Sequence, residues 1–300
     1  MKDAIISRGL TKKYGGRAVV DAVDLCVRAG CITGFLGPNG AGKTTTISLL
    51  LGLLRADAGE CEVLGLPPGD PAALAQIGAL VETPSLYDHL TGAENLEITR
   101  LMRDVPKTEA ARVLALVQLT QDARRPVRTY SLGMKQRLGM ALALMGEPKL
   151  LILDEPLNGL DPAGILEMRE LIRGLPELAG TTVFLSSHIL AEVEQVASDL
   201  VVIDKGRLRY QGPLEGLGDP AADGGSEVLF KVDRPGQARD ALSHLGIAAE
   251  LAHDRLVVNV GHDDVPRVNA ILVANGILVY EIAPMRQNLE SRFMSLLEGA

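Results

Sequence analysis

Short runs of uninterrupted apolar residues recur along the first two-thirds of the chain, each running into a glycine-rich, polar or acidic loop. They span residues 31–36, 150–153, 182–185 and 200–203. Apolar runs of this length bounded by turn signals read as strands buried on both faces. Between them apolar positions recur at helical spacing, over residues 109–119 and 165–175. Strands alternating with helices predict a largely parallel sheet covered on both faces, an α/β fold. Ligands of such sheets bind beyond the carboxyl ends of the strands. The rhythm changes after residue 214. Residues 215–226, rich in Gly, Asp and Ala with one Pro, predict a linker. Beyond it the pattern predicts a strand at 227–232, a helix at 235–245, a hairpin of 248–251 with 256–260, a helix at 265–274 and a strand at 277–282. That order, β-α-β-β-α-β, is ferredoxin-like. Residues 288–297 predict a closing helix with Asn288 as its N-cap. The expected domains are therefore 1–214, a linker at 215–226, and a small α+β accessory domain over 227–300.

Of the 300 residues 47% are hydrophobic but only 3% aromatic, with no Trp, so the core is expected to be aliphatic. The net charge of −8 argues against a nucleic-acid partner, whose phosphates need a Lys/Arg surface. Cys26, Cys31 and Cys61 form neither a zinc spacing nor a disulfide framework, which predicts buried thiols in a reducing compartment. His244, His253 and His262 are scattered and suggest no metal site. The N-terminus, Met1-Lys2-Asp3-Ala4, opens no signal peptide. No apolar run approaches the roughly 20 residues that span a bilayer. If the protein powers transport, the pore is expected on another chain.

Chemistry concentrates in three places. Gly37-Pro38-Asn39-Gly40-Ala41-Gly42-Lys43-Thr44 fits G-x-x-x-x-G-K-[ST] directly after a predicted strand and before a helix starting near Thr45. The glycines let backbone N–H groups face phosphate oxygens, and the helix N-terminus adds a favourable dipole. Lys43 supplies a point charge to the β- and γ-phosphates of a nucleotide, and the Thr44 hydroxyl is a Mg²⁺ ligand. The apolar strand at 150–153 delivers Asp154 and Glu155 at its carboxyl end. Carboxylates there are costly without a cation, which makes Asp154 a metal ligand and Glu155 a general base for an attacking water. Between these two, Ser131-Leu132-Gly133-Met134-Lys135-Gln136-Arg137 opens a helix with Ser131 as N-cap.

GPNGAGKT, YSLGMKQRL, LLILDEP, NGLD and SSH, in that order and at these separations, resemble the ATP-binding cassette ATPases over essentially all of residues 1–214. The resemblance implies a P-loop NTPase core with a helical signature subdomain, ATP and Mg²⁺ as ligands, and ATP hydrolysis coupled to a separate transmembrane permease at the cytoplasmic face of the membrane. It also implies a head-to-tail homodimer, in which Ser131 and Gly133 of one chain touch the γ-phosphate held by the other. Tyr14 matches the aromatic that stacks on adenine. Asp161, in Asn158-Gly159-Leu160-Asp161, matches the loop that crosses the dimer interface. Its local alternative is a helix N-cap followed by Pro162. His188 matches the switch histidine at the γ-phosphate. The family's usual signature, LSGGQ, here reads Tyr130-Ser131-Leu132-Gly133-Met134, with Leu in place of the middle Gly.

A second departure is Glu82. It stands where the family usually has a Gln linking the nucleotide to the membrane partner, and is expected to reach the metal. Together with the neighbouring Thr83-Pro84-Ser85-Leu86-Tyr87, it is similar to the branch of bacterial exporters conferring immunity to lantibiotics and bacitracin. The competing function is a soluble cassette ATPase acting on DNA or ribosomes. The stretch of about 110 residues between Lys43 and Asp154 is too short for the coiled coils or zinc modules that DNA-repair members insert. The accessory domain has two readings, a regulatory or dimer-stabilising module as in exporters of this type, or a folded cap with no ligand.

Overall fold

The computed structural model describes residues 3–81, 83–218, 226–252, 255–261, 264–284 and 289–298. Glu82, His253, His262, Asn288 and most of the predicted linker lie outside the described residues. The chain divides into two compact units, residues 1–214 with 296–300, and Glu215–Ser295.

In the first unit a six-stranded sheet carries the site. It comprises β4 (Ile32–Leu36), β6 (Ile77–Leu80), β7 (Leu150–Asp154), β8 (Thr182–Ser187), β9 (Asp199–Asp204) and β10 (Arg207–Pro213), in the order β10-β9-β4-β8-β7-β6. The five strands from β9 to β6 are parallel, and β10 returns antiparallel on β9. Every residue of β4, β7, β8 and β9 is buried, as expected of strands covered on both faces. The neighbouring strands β4, β8 and β7 end on the same edge, in Gly37, His188 and Glu155.

A second sheet departs from the sequence expectation. β1 (Asp3–Tyr14) pairs antiparallel with β2 (Arg17–Val23), β3 (Cys26–Arg28) and β5 (Ala58–Val63). Its inward residues Ile5, Leu10, Val20, Val27 and Val63 share one core with Phe35, Leu150, Ile152 and Phe184 of the parallel sheet. Among the described residues of this unit the buried aromatics are Phe35, Phe184 and Tyr130, and the rest of its core is aliphatic. Phe35 and Phe184 stack at 5.2 Å. The expectation of buried cysteines fails at Cys26, which alternates outward on β3 and is exposed, while Cys31 and Cys61 are half-buried. Burial still pushes the Cys61 thiol up to about 11, too high for a useful thiolate.

Helices fill the connections. α1 (Lys43–Leu50) follows β4, and the short α2 (Pro71–Leu74) precedes β6. α3 (Gly92–Arg103), α4 (Thr108–Leu116) and α5 (Leu132–Leu144) form a helical segment between β6 and β7. Thr91 and Glu94 make a reciprocal capping box at the start of α3. α6 (Pro162–Ala179) follows β7, with Asp161 as N-cap and Pro162 in its first turn, and α7 (Leu190–Glu194) follows β8.

The second unit runs β11 (Ser226–Val232), α8 (Pro235–Ser243), β12 (Ala249–Ala252), β13 (Arg255–Val260), α9 (Val265–Ala274), β14 (Val279–Pro284) and most of α10 (Leu289–Glu298). Its sheet is antiparallel in the order β12-β13-β11-β14. Val228, Phe230 and Val258 pack with Leu242 of α8 and Leu272 of α9 in a core of their own.

Candidate functional site

The loop from Gly37 to Gly42 is a backbone cradle. Gly42 has φ 105°, and a Cβ there would stand 2.5 Å from the Val19 carbonyl oxygen, so only glycine fits. Gly42 is also the N-cap of α1, and no side chain caps that helix. The first-turn N–H groups of Lys43, Thr44 and Thr45 have no intrahelical acceptor, which makes this end of the helix an anion site. Within the same unit, α3, α5 and α6 each carry a side-chain cap.

Lys43 is 6% exposed. Its Nζ donates to the Gly37 carbonyl at 2.7 Å and lies 3.3 Å from Glu155 Oε1. A buried ammonium is tolerated only with such partners. Glu155 itself takes a left-handed backbone, φ 49°, a strained conformation for a non-glycine residue and one that concentrates at functional sites. Its other oxygen, Oε2, is 2.8 Å from His188 Nδ1. An ionised carboxylate only accepts, so Nδ1 carries the proton and Nε2 is the nitrogen left for a ligand.

Asp154 is held from two sides. Thr44 Oγ1 donates to its Oδ2 at 2.8 Å, and Ser186 Oγ donates to its Oδ1 at 2.5 Å. The Ser186 oxygen also accepts the backbone N–H of Glu155, at 2.9 Å. This follows from register, because the parallel pairing of β7 with β8 sets Asp154 opposite Ser186. Ser186 thus fixes both acids.

Lys43, Thr44, Glu155 and His188 line a cavity of about 450 Å³, with Asn39, Gly40, Gly42 and Thr45 from the loop and helix, Val19 from β2 and Asn158 from the turn after β7, while Asp154 is joined to this lining by its hydrogen bond from Thr44. Thr44 Oγ1 and the Asp154 carboxylate are hard oxygen donors within hydrogen-bond distance of each other, and they suit Mg²⁺. Of the residues expected from sequence, Gly37, Pro38, Asn39, Gly40, Ala41, Gly42, Lys43, Thr44, Thr45, Glu155 and His188 are brought together here or in the loop around it, and Asp154 joins them through Thr44. Tyr14 closes β1 away from the lining, 50% exposed, with Lys12 Nζ 5.8 Å from its ring centre. Ser131 and Asp161 cap α5 and α6, their oxygens accepting from Met134 N and Gly164 N, and neither they nor Gly133 line the cavity. Ser186, Asn158 and Val19 were not singled out by sequence. The first two stand in the SSH and NGLD motifs, while nothing local marks Val19.

The β9–β10 turn braces the cradle from behind. Gly206 N donates to the Ala41 carbonyl at 2.9 Å, and Asp21 N to the Gly206 carbonyl at 2.8 Å. Gly206 has φ 80°, and a Cβ on it would stand 2.5 Å from the Val19 carbonyl oxygen. Gly206→Ala is expected to store about 1–3 kcal/mol of strain. A thermal melt of the full chain should read that as a fall of about 2–4 °C per kcal/mol. An unchanged melting temperature would show that the turn yields freely.

The chain is similar to known proteins in sequence and in fold. A sequence model of the family described as ABC transporter matches residues 20–158. The chain is 39% identical to the bacitracin transport ATP-binding protein of Bacillus licheniformis, over 100% of this chain and 99% of that protein. It is 37% identical to the lantibiotic transport ATP-binding protein of Streptococcus pyogenes, over 76% of this chain and 98% of that one. Among solved structures, an ATP-binding subunit of an ABC transporter superposes with a TM-score of 0.65 at 30% identity, covering 71% of this chain and 91% of the other.

Proposed function

The chain belongs to the ATP-binding cassette transporter family as an ATP-binding subunit, an ATPase coupled to transport, and from that premise we propose how its cavity works and what it serves. The phosphates of ATP lie on the loop 37–44, against the uncapped start of α1. Lys43 meets the β- and γ-phosphate oxygens, which compete with Glu155 for its ammonium. Glu155, oriented by the Nδ1–H of His188, takes a proton from the attacking water. His188 Nε2 faces the γ-phosphate. Thr44 and Asp154 hold Mg²⁺, which when bound offsets the charge of the phosphates. Ser186 keeps Asp154 and the Glu155 backbone in register for both tasks. The observation that carries this reading is the convergence of Lys43, Thr44, Glu155 and His188 on one cavity, with Asp154 hydrogen-bonded to Thr44.

Two chains act head to tail, each closing the other's site with Ser131 and Gly133. The exposed apolar side chains of Leu132, Leu166 and Ile189, near the starts of α5, α6 and α7, support a surface that becomes covered. Residues 1–214 are the ATPase domain and 227–300 an accessory domain, joined by 215–226. Among the described residues no helix is long and apolar enough to cross a membrane. ATP-binding subunits of this family work with transmembrane permease partners, and the protein acts through one at the cytoplasmic face of the membrane. The bacitracin and lantibiotic transport relatives support export of peptide antibiotics.

Co-expression with its membrane partner tests this. Cells carrying both are expected to survive several-fold more bacitracin or lantibiotic, and Lys43→Ala should abolish the protection. Equal protection by Lys43→Ala, or detergent extracts in which the chain never accompanies a polytopic protein, would overturn the proposal.

A further inference from the structure

The substitution of Leu for the usual glycine at the middle of the signature has a defined place in the structure. Leu132 is the first residue of α5, directly after the Ser131 cap. It is 49% exposed, yet one face of it is occupied. Its Cδ2 lies over Gly159, close enough that a Cβ on Gly159 would stand 3.0 Å from it. The reciprocal contact also exists, since Leu160 Cδ2 lies 3.7 Å from the position of a Cβ on Gly133. Two leucines therefore interlock with two glycines, one pair from each segment. Gly159 needs to stay bare, because it has φ 76° as well as this close approach, whereas a Cβ on Gly133 would meet Leu160 at an ordinary contact distance. Arg137 of α5 adds an ion pair to Glu167 of α6 at 3.1 Å.

The far side of this interlock is tied to the base. Asn158 N donates to the Glu155 carbonyl at 3.1 Å, and Leu160 N to the Leu157 carbonyl at 3.3 Å. The segment from Glu155 to Leu160 is thus a hydrogen-bonded turn, with one end in the cavity and the other against Leu132. Asn158 itself lines the cavity.

We propose that Leu132 is a positioning residue that latches the start of α5 to the 155–160 turn of the same chain, so that the placement of Ser131 and Gly133 follows the state of that chain's own Glu155. Glycine at 132 would lack the knob that makes this contact. The inference rests on the composite-site reading, in which Ser131 and Gly133 serve the partner's ATP. The latch then carries information from one site of the dimer to the other. Apolar packing between two discrete elements is an ordinary carrier of such coupling.

The test uses the full chain with Leu132→Gly, Leu132→Ala and Leu132→Met, the last preserving volume and flexibility. ATP affinity, kcat and the Hill coefficient for ATP are measured for each. With the latch lost, kcat should fall about 10-fold and the Hill coefficient should move towards 1, within the 5–150-fold span of site–site couplings. ATP affinity of the Lys43 site should be unchanged, and Leu132→Met should restore wild-type behaviour. Sedimentation of Glu155→Gln with ATP is run alongside. If it stays monomeric, the composite site itself fails and the latch with it. If it dimerises while Leu132→Gly and Leu132→Ala match wild type in kcat and Hill coefficient, the latch alone is overturned. A fall in ATP affinity equal to the fall in kcat, or no recovery in Leu132→Met, also overturns it, because either shows general damage rather than lost positioning.

Discussion

Glu155→Gln is expected to lower ATP turnover by about 10²–10⁴-fold, the range typical of a lost general base, while ATP remains bound. Glutamine keeps the shape of the side chain and removes its basicity. Its amide oxygen can still accept from the His188 Nδ1–H, which now lies 2.8 Å from Glu155 Oε2. The contact to Lys43 changes more. Glu155 Oε1 holds that ammonium at 3.3 Å, and a neutral amide competes for it far less well than a carboxylate. The phosphates of ATP therefore meet a Lys43 with a weaker rival, so nucleotide affinity should stay level or rise. Phosphate release under multiple-turnover conditions measures the first effect and equilibrium dialysis the second. Turnover near the wild-type rate would remove Glu155 from the role of base. Loss of ATP binding would mean instead that Glu155 organises the loop rather than the water.

The residues behind that prediction were legible because each sits in a short local pattern. A glycine-rich loop needs only its own spacing and the strand before it to announce a phosphate site. Asp154 and Glu155 stand out because an all-apolar strand runs straight into two acids. Ser186 was not legible in the same way. Its role depends on β8 lying next to β7 in parallel register, which no local pattern encodes. The antiparallel sheet was missed for a different reason. β1 has register shifts against each of its three partners, so the period-two alternation of a half-buried strand is broken along its length. β5, Ala-Gly-Glu-Cys-Glu-Val, buries fully only its last residue and carries two glutamates, so its apolar signal is weak. Cys26 misled for a related reason, because apolar neighbours in sequence alternate across a strand and Val27 takes the inward position. Tyr14 and Asp161 show how a motif identifies a residue without giving its surroundings. Asp161 is an N-cap within its own chain, whatever it also does against a partner. Glu82 lies outside the described residues, and its expected part in linking nucleotide to permease rests on sequence alone.

Mixing a Ser131→Arg chain with a Lys43→Ala chain is expected to restore hydrolysis that neither shows alone. In a head-to-tail dimer each site takes Lys43 from one chain and Ser131 from the other. Homodimers of either variant then hold two defective sites. A mixed dimer pairs the intact Lys43 of the first chain with the intact Ser131 of the second, giving one complete site, and gathers both defects in the other. Half of randomly formed dimers are mixed and each holds one site of two, so activity should return to at most about one quarter of wild type, and to less as the two sites depend on each other. The size of each single defect follows from the structure. Lys43→Ala removes a buried cation from the loop and leaves the Gly37 carbonyl without its donor. Ser131→Arg removes the cap that accepts from Met134 N at 3.2 Å and puts a long side chain at the start of α5, where an anion is meant to approach. If instead a single chain were self-sufficient, Ser131 and Lys43 would have to serve the same cavity. Neither Ser131 nor Gly133 is among the residues that line it. A tandem-linked chain with the two changes in opposite halves fixes the mixed pairing and removes dependence on random assortment. Recovery in the tandem chain but not in the mixture would place the weakness in assembly. No recovery in either would leave the head-to-tail arrangement unsupported, unless hydrolysis strictly demands two complete sites.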